Sequence, residues 1–444
     1  MTRKKDSTLT EVPMRASHVR EIRKLVTWIE PSVWTVPMLT ALVIGVKGGK
    51  WYSLMDKVYK MANLRSAFKK VKANKGSAGV DHQTIEMFEK HLEKNIKKLH
   101  RDLKKGRYKP QRILRQNIPK AGKRKETLPL GIPTVRDRVV QTALRNVLEP
   151  IFEMEFAAYS YGFRPNRGCK GALRRVSKLL ETGYTWVVDV DLKSYFDTIP
   201  HEKLIQHIKE KIVDTKVLAL LETFLKQEIL EEMHSWTPER GTPQGAVVSP
   251  LLSNIYLNPL DHLMAALGYE MVRYADDLVI LCKSKAACQQ AMMELTKWTS
   301  QAGLTLHPEK TKIVDSKVEG FDFLGYHFKN KKRWPSKKSM KRLRSKISPK
   351  TKRTNGTSMK TIIKEVNKTT IGWYEYFKHS NRITFVSVDG WIRMRLRSIL
   401  RKRSKRKGRG RGKDHQRWPN SYFGALGLFS LTAARDLACQ SARR

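Results

Sequence analysis

Cysteine, acid and long apolar runs are all scarce in this sequence. The four cysteines are Cys169, Cys282, Cys288 and Cys439. No two stand at the spacing of a zinc-ligand pair, and four are too few to build a disulfide scaffold across 444 residues. That excludes a zinc module and a disulfide-built secreted protein, and it leads us to expect a reducing, intracellular setting. The start, MTRKKDSTLT, lacks the apolar core of a signal peptide. The longest apolar run near it, VPMLTALVIGV from Val36, is only about half a membrane span. It reads as a buried helix or strand, and no membrane partner is expected.

Asp and Glu number 41 against 88 Lys and Arg, a net charge of +47. Self-repulsion of this size calls for a polyanion, and nucleic acid is the one expected. The excess is uneven. Residues 323–444 hold 34 Lys and Arg and 5 acids, and no acid lies between Asp322 and Glu365. This shift marks a domain boundary near residue 330. Before it, helical and strand-like patterns alternate. After it, TIIKEVNKTTIGWYEYF sets Ile362, Val366, Trp373 and Phe377 near one helical face, and GWIRMRLRSIL gives a second helix. RKRSKRKGRGRGK (401–413) is a low-complexity basic run, expected to be mobile until phosphates order it.

Against this background, carboxylates in apolar surroundings stand out. VRYADDLVILC (272–282) places Asp276 and Asp277 between two β-prone runs, the pattern of a hairpin. Successive strand residues face opposite ways, so one acid is expected to face a site and the other its rim. Upstream, YTWVVDVDLKSYFDTIPHEKL (184–204) contains a strand with Asp189 and Asp191 on one face. Beside the hairpin, these carboxylates would converge and need a counter-ion. Mg²⁺ suits them, held by one or two carboxylates plus substrate phosphates. Two such ions, about 3.5–4 Å apart, activate a 3′-hydroxyl and steady a leaving pyrophosphate. Asp191 with Asp276 reads as the metal site, whereas Asp189 alone reads as a strand-end or salt-bridged carboxylate.

Taken with its neighbours, YADD resembles the catalytic hairpin of reverse transcriptases. LPLGIPTVRDRVVQ (128–141), SYGFRPNRGC (160–169), GTPQGAVVSPLLSNIYLN (241–258), GLTLHPEKTK (303–312) and FDFLGYHF (321–328) follow in that family's order. NKGSAGVD (74–81) and the segments IGWYEYF and GWIRMRLRSIL resemble the group II intron type, the last two its maturase thumb. The resemblance implies an α+β right-hand fold: fingers, a palm with a ferredoxin-like antiparallel sheet, and an α-helical thumb. The expected divisions are an N-terminal extension (1–54), fingers (55–184), palm (185–330) and basic thumb (331–444). The implied activity is RNA-directed DNA polymerisation from dNTPs on an RNA template with a DNA primer, together with group II intron RNA binding and splicing.

The family's residue roles carry over by position. Asp191, Asp276 and Asp277 become the catalytic metal ligands for two Mg²⁺, with Mn²⁺ as an alternative ion. Phe196 falls where a bulky side chain blocks a ribonucleotide 2′-hydroxyl. Gln244 of PQG lies against the incoming nucleotide, next to a glycine that permits close backbone approach. The fingers offer Lys120, Lys123, Arg124 and Lys125 to the triphosphate. The family's usual arginine before PLGIP is Leu128 here, so a basic residue of 123–125 or Arg136 is expected to replace it. Lys170 stands where a histidine is frequent, and nothing in the sequence explains that change. Tyr161, Arg164 and Arg167 either contact template or primer, by stacking and phosphate neutralisation, or support the fold locally. Lys310 and Lys312 seat the primer end. Lys341, Arg342, Arg344, Arg401, Lys402 and Arg403 grip structured RNA by its shape and phosphates. Most of Trp373, Tyr374, Trp391 and Trp418 read as core.

HVREIRKLVTWIE is an amphipathic helix candidate in the N-terminal extension. The last residues carry one cysteine and no ligand cluster, so the HNH nuclease of some relatives is not expected. Two rival readings stand beside the polymerase. One is an RNA-binding splicing cofactor with a vestigial active site, which the retained aspartates oppose. The other is a domesticated relative in DNA repair or phage defence, which the core motifs do not separate.

Overall fold

The computed structural model describes residues 22, 25, 27–119, 127–408, 410 and 412–441. Lys120, Lys123, Arg124, Lys125 and most of the HVREIRKLVTWIE segment lie outside them. The described strands are β1 (Ile113–Pro119), β2 (Thr127–Ile132), β3 (Trp186–Asp191), β4 (Ile229–Glu231), β5 (His234–Trp236), β6 (Glu270–Tyr274), β7 (Asp277–Cys282), β8 (Lys312–Asp315), β9 (Phe321–Phe323), β10 (Tyr326–Lys329) and β11 (Lys332–Pro335). They form three sheets, ordered β2-β1-β4-β5, β6-β7-β3-β8 and β11-β10-β9. Among the described residues no helix is long and apolar enough to cross a membrane.

The β6-β7-β3-β8 sheet is antiparallel throughout, the palm sheet expected of an α+β right-hand fold. Its two inner strands, WVVDVD and DLVILC, are apolar on both faces because both faces are covered. Val188, Val190, Leu278, Ile280 and Cys282 share a core with the helices Ser249–Ala266 and Lys285–Gln301. Val187, Val272, Val279 and Leu281 pack instead with the helix Cys169–Glu181 and the aromatic side chains of β9 and β10. The first of these cores is one cluster with members from Ile22 to Leu304. The β6-β7-β3-β8 sheet and the helices that precede it in the chain therefore share one hydrophobic body.

The turn of the β6–β7 hairpin is fixed from behind by a buried charge. Arg273 is 0% exposed. It donates to Asp261 Oδ1 (2.8 Å), to Asn254 Oδ1 (2.8 Å) and to the Ala275 carbonyl (3.1 Å). Gly162 of the SYGF block lies against the same turn, where a side chain would collide with the Ala275 backbone. The neighbouring Tyr161 N–H donates to the Arg273 carbonyl (2.9 Å).

The basic C-terminal quarter is helical: Lys337–Lys350, Met359–Phe377 and Arg382–Arg403, then three shorter helices. Ser336, Ser358 and Asn381 cap the three long helices through their side chains. Ile362, Val366 and Phe377 are buried as their spacing predicts. The third long helix starts eight residues before GWIRMRLRSIL, because the asparagine cap, not the apolar run, sets its start. The first part of the 401–413 run has a regular conformation. Arg401–Arg403 complete that helix, and the chain to Gly408 folds back on it.

Candidate active site

Asp191 and Asp277 are direct cross-strand partners in the β3–β7 ladder, and Asp189 pairs with Lys312 of β8. The period of two therefore sets Asp189, Asp191 and Asp277 on one face at the end of the sheet. They line a cleft of about 420 Å³ with Lys310, Asp322, Gly325, Lys338 and Arg342. Asp276 occupies the turn itself, which Ala275 bends with a φ of +58°. The expectation of one facing and one rim carboxylate thus resolves as Asp277 in the cleft and Asp276 beside it.

The electrostatics are those of crowded acids. Burial pushes the Asp277 carboxyl up to about 7, and Asp189, Asp276 and Asp191 add to the rise. Burial also lifts Asp189 to about 6, with Lys312 working against Asp322 and Asp191. Asp276 is raised by burial and by Asp191 as well. Lys310 Nζ sits 3.2 Å from Asp191 Oδ2 and offsets part of this charge. Among the described residues no three acidic, histidine or cysteine side chains gather closely enough to hold an ion unaided. An open set of hard oxygens still fits Mg²⁺, which fills its shell with waters and substrate phosphates. The GLTLHPEKTK block braces the centre: His307 N–H donates to the Asp191 carbonyl (2.8 Å), and Asp191 N–H to Thr311 Oγ1 (3.3 Å).

Phe196 and Gln244 lie on segments tied to one another. Thr242 N–H donates to the Phe196 carbonyl (2.7 Å), and Gly131 N–H of β2 donates to the Gln244 carbonyl (2.6 Å). Gly245, at φ +105°, runs against the Gly131 backbone, where a side chain would collide. The PQG turn is therefore a clasp between the fingers strand and the palm. The Phe196 ring is half-buried, edge-on to Tyr195 at 5.4 Å, so it is partly core as well.

Several basic residues serve the fold instead of a ligand. Arg164 is 6% exposed. It pairs with Glu153 (2.7 Å) and donates to the carbonyls of Ala157 (2.6 Å) and Ser160 (2.9 Å). The nucleic-acid contact expected of it is corrected to local fold support, because its guanidinium is spent inside. Arg136 stacks over Tyr108 at 5.0 Å and lies 3.6 Å from the buried Asp137, so it is held in the fingers rather than free for a triphosphate. Arg167 is exposed, lies over the half-buried Tyr161 and donates to the Ala158 carbonyl (2.5 Å). Lys312 reaches Glu319 at 2.9 Å. Lys341, Arg342 and Arg344 are exposed on one thumb helix, and Arg344 lies over Trp391 at 5.9 Å. Lys402 is exposed, whereas Arg401 pairs with Asp414 (2.7 Å). Arg403 donates to the carbonyls of Asn355 and Thr357.

Sequence reasoning passed over Asp322 and Lys338, which line the cleft, and set Asp189 aside. The one signal for Asp322 was its place in FDFLGYHF, a stretch otherwise nearly free of charge.

The family described as reverse transcriptase (RNA-dependent DNA polymerase) matches residues 118–328, and the group II intron, maturase-specific domain matches residues 340–418. Protein YkfC of Escherichia coli K12 is 33% identical over 295 residues, covering 57% of this chain and 76% of YkfC. Group II intron-encoded protein LtrA of Lactococcus lactis subsp. cremoris is 39% identical over 215 residues, 48% of this chain and 35% of LtrA. An uncharacterized 91 kDa protein in the cob intron of Schizosaccharomyces pombe is 32% identical over 332 residues, 60% of this chain and 40% of that protein. The chain thus spans most of YkfC's length but well under half of the other two. With Asp191 of one strand facing the YADD hairpin of the next, and a helical maturase-specific domain behind them, the chain belongs to the reverse transcriptases, the RNA-directed DNA polymerases, of the group II intron type.

Proposed function

We propose that this chain copies an RNA template by adding dNTPs to a DNA primer 3′-end, and that it binds a group II intron RNA and assists its splicing. In this reading residues 55–184 act as fingers, 185–330 as palm and 331–444 as thumb. The observation that carries it is the pairing of Asp191 with Asp277 beside Asp276 at the open end of the palm sheet.

Asp191, Asp276 and Asp277 would hold two Mg²⁺ ions. When bound, these supply charge stabilisation to the attacking and leaving oxygens. The chain's own residues do the rest. The clasp that joins β2 to the Phe196 segment sets the floor of the nucleotide position, with Gln244 against the base and sugar. The Phe196 ring crowds the 2′ side of the sugar. Lys310, long and exposed, balances Asp191 and lies where a primer phosphate would pass. The thumb carries the intron RNA contacts through its basic surface.

Asp276→Asn separates the two activities. It removes a carboxylate charge with little change of shape, so RNA-templated extension collapses while intron RNA binding and protein-assisted splicing persist. Loss of splicing in a folded Asp276→Asn protein would show that the two activities are not separable at this site.

A further inference from the structure

The Asp277 carboxylate accepts a hydrogen bond from the backbone N–H of Leu324. Leu324 (φ +47°) and Gly325 (φ +79°) form the two-residue turn between β9 and β10. Both are left-handed, the geometry that matches a hairpin's twist. A bulky residue such as leucine rarely takes that conformation, and it persists where the surroundings over-determine it. Here the surroundings are the thumb. Tyr376 of the helix Met359–Phe377 donates from its hydroxyl to the Leu324 carbonyl (2.8 Å). Ser339 Oγ and the Ser336 N–H, at the start of the helix Lys337–Lys350, both donate to the Gly325 carbonyl (2.9 Å each). Tyr326, next to the turn, donates back from its hydroxyl to the Tyr376 carbonyl (2.7 Å). The Phe377 ring lies 4.9 Å from that of Tyr326, in the core that also holds Val279 and Leu281 of β7. The turn's carbonyls are thus held by two thumb helices, while one of its N–H groups holds a carboxylate of the candidate metal site.

We propose that Tyr376 is a positioning residue for nucleotide addition: through the Leu324–Gly325 turn it sets the Asp277 carboxylate, so that the catalytic centre is complete only with the thumb helix docked. A carboxylate at a strand end keeps rotational freedom about its own side-chain bonds, and a fixed N–H donor removes it. That donor is fixed only while the turn is, and the Tyr376 hydroxyl anchors the carbonyl of the strained leucine. Groups that orient a metal's ligands matter to metal affinity almost as much as the ligands themselves. The inference rests on Asp277 holding Mg²⁺, as proposed above. It gives the maturase-specific region a task in the polymerase centre that needs no RNA contact from Tyr376.

The test compares the full chain as wild type, Tyr376→Phe, Ser339→Ala and Tyr374→Phe. Tyr376→Phe deletes one hydroxyl. Tyr374→Phe makes the same deletion on the same helix, where the ring packs on Phe385 and Phe429 (5.6 Å each). Melting curves across a Mg²⁺ series, without nucleic acid, read metal binding by the free protein. Steady-state extension of a DNA primer on an RNA template gives kcat, the dNTP KM and the Mg²⁺ concentration at half-maximal rate. Tyr376→Phe melts close to wild type in EDTA but needs roughly tenfold more Mg²⁺ for the same rise in melting temperature. Its half-maximal Mg²⁺ concentration for extension rises by a similar factor, kcat at limiting Mg²⁺ falls with it, and the dNTP KM is unchanged. Ser339→Ala moves the same readouts by less, since the Ser336 N–H still holds the Gly325 carbonyl. Tyr374→Phe matches wild type throughout. An unchanged Mg²⁺ requirement in Tyr376→Phe overturns the proposal. So does a change that Tyr374→Phe shares, or one that only follows a fall in the EDTA melting temperature, since both mark thumb stability alone. A wild type that responds to Mg²⁺ yet extends no primer overturns the polymerase reading, while the melting series still decides what Tyr376 does to the metal site.

Discussion

Asp191 on β3 and Asp277 on β7 are direct partners across the antiparallel ladder, on one face of the sheet, with Asp276 at the adjoining turn. Two like charges in register destabilise a sheet, and here a third and fourth lie close by. The arrangement persists because the site is built to receive cations, and its stability in their absence reflects that.

Stability without divalent ions follows from this. Asp277 titrates at about 7 in the folded chain, against about 3.9 when unfolded. A raised folded value means that the unfolded state ionises first. Folding stability therefore falls as pH rises from about 4 to 7, and the loss is complete above the folded value. Asp277→Asn removes that loss. In EDTA the variant melts higher than wild type, and the gap widens between pH 4 and pH 7. A gap that is absent, or that narrows with rising pH, contradicts the crowding of these acids.

Sugar selection follows from Phe196. With its ring truncated, Phe196→Ala admits ribonucleotides that the wild type rejects, and its melting temperature drops because the ring is also partly core. Competing dNTP and rNTP incorporation on one RNA template measures the first effect. Unchanged discrimination with lowered stability would leave Phe196 as packing alone.

Arg164 behaves as structure. Arg164→Ala strands Glu153 and three carbonyls, and breaking a buried pair of this kind costs about 3–5 kcal/mol. Urea unfolding reads this directly. A variant of wild-type stability with weakened primer–template binding would restore the nucleic-acid role expected from sequence.

How far the sequence alone reached is clear from particular residues. The YADD hairpin, the Asp191 strand and their neighbourhood were legible because the period of two and a run of β-branched residues leave few arrangements. The two facing sides of the sheet were not, since an apolar strand covered on both faces carries no alternation. The acid partners of Arg164 and Arg401 were not legible for a common reason. A cation's use depends on whether an acid comes close in space, and Glu153 and Asp414 lie 11 and 13 residues away in sequence. The role of Gly162, which is to let the Ala275 turn pass, depends on a neighbour far away in sequence. The Arg273–Asp261 pair gave no signal, because a buried ion pair between a strand and a helix has no local pattern.

The most direct measurement is Mg²⁺-dependent extension of a DNA primer on an RNA template by wild type, Asp191→Asn and Asp276→Asn, each confirmed folded by its melting curve. Charge stabilisation by a bound metal is worth several kcal/mol, so both variants are expected to lose extension by orders of magnitude at every Mg²⁺ concentration. Near-wild-type extension by either folded variant would contradict the assignment of these carboxylates as the polymerase centre.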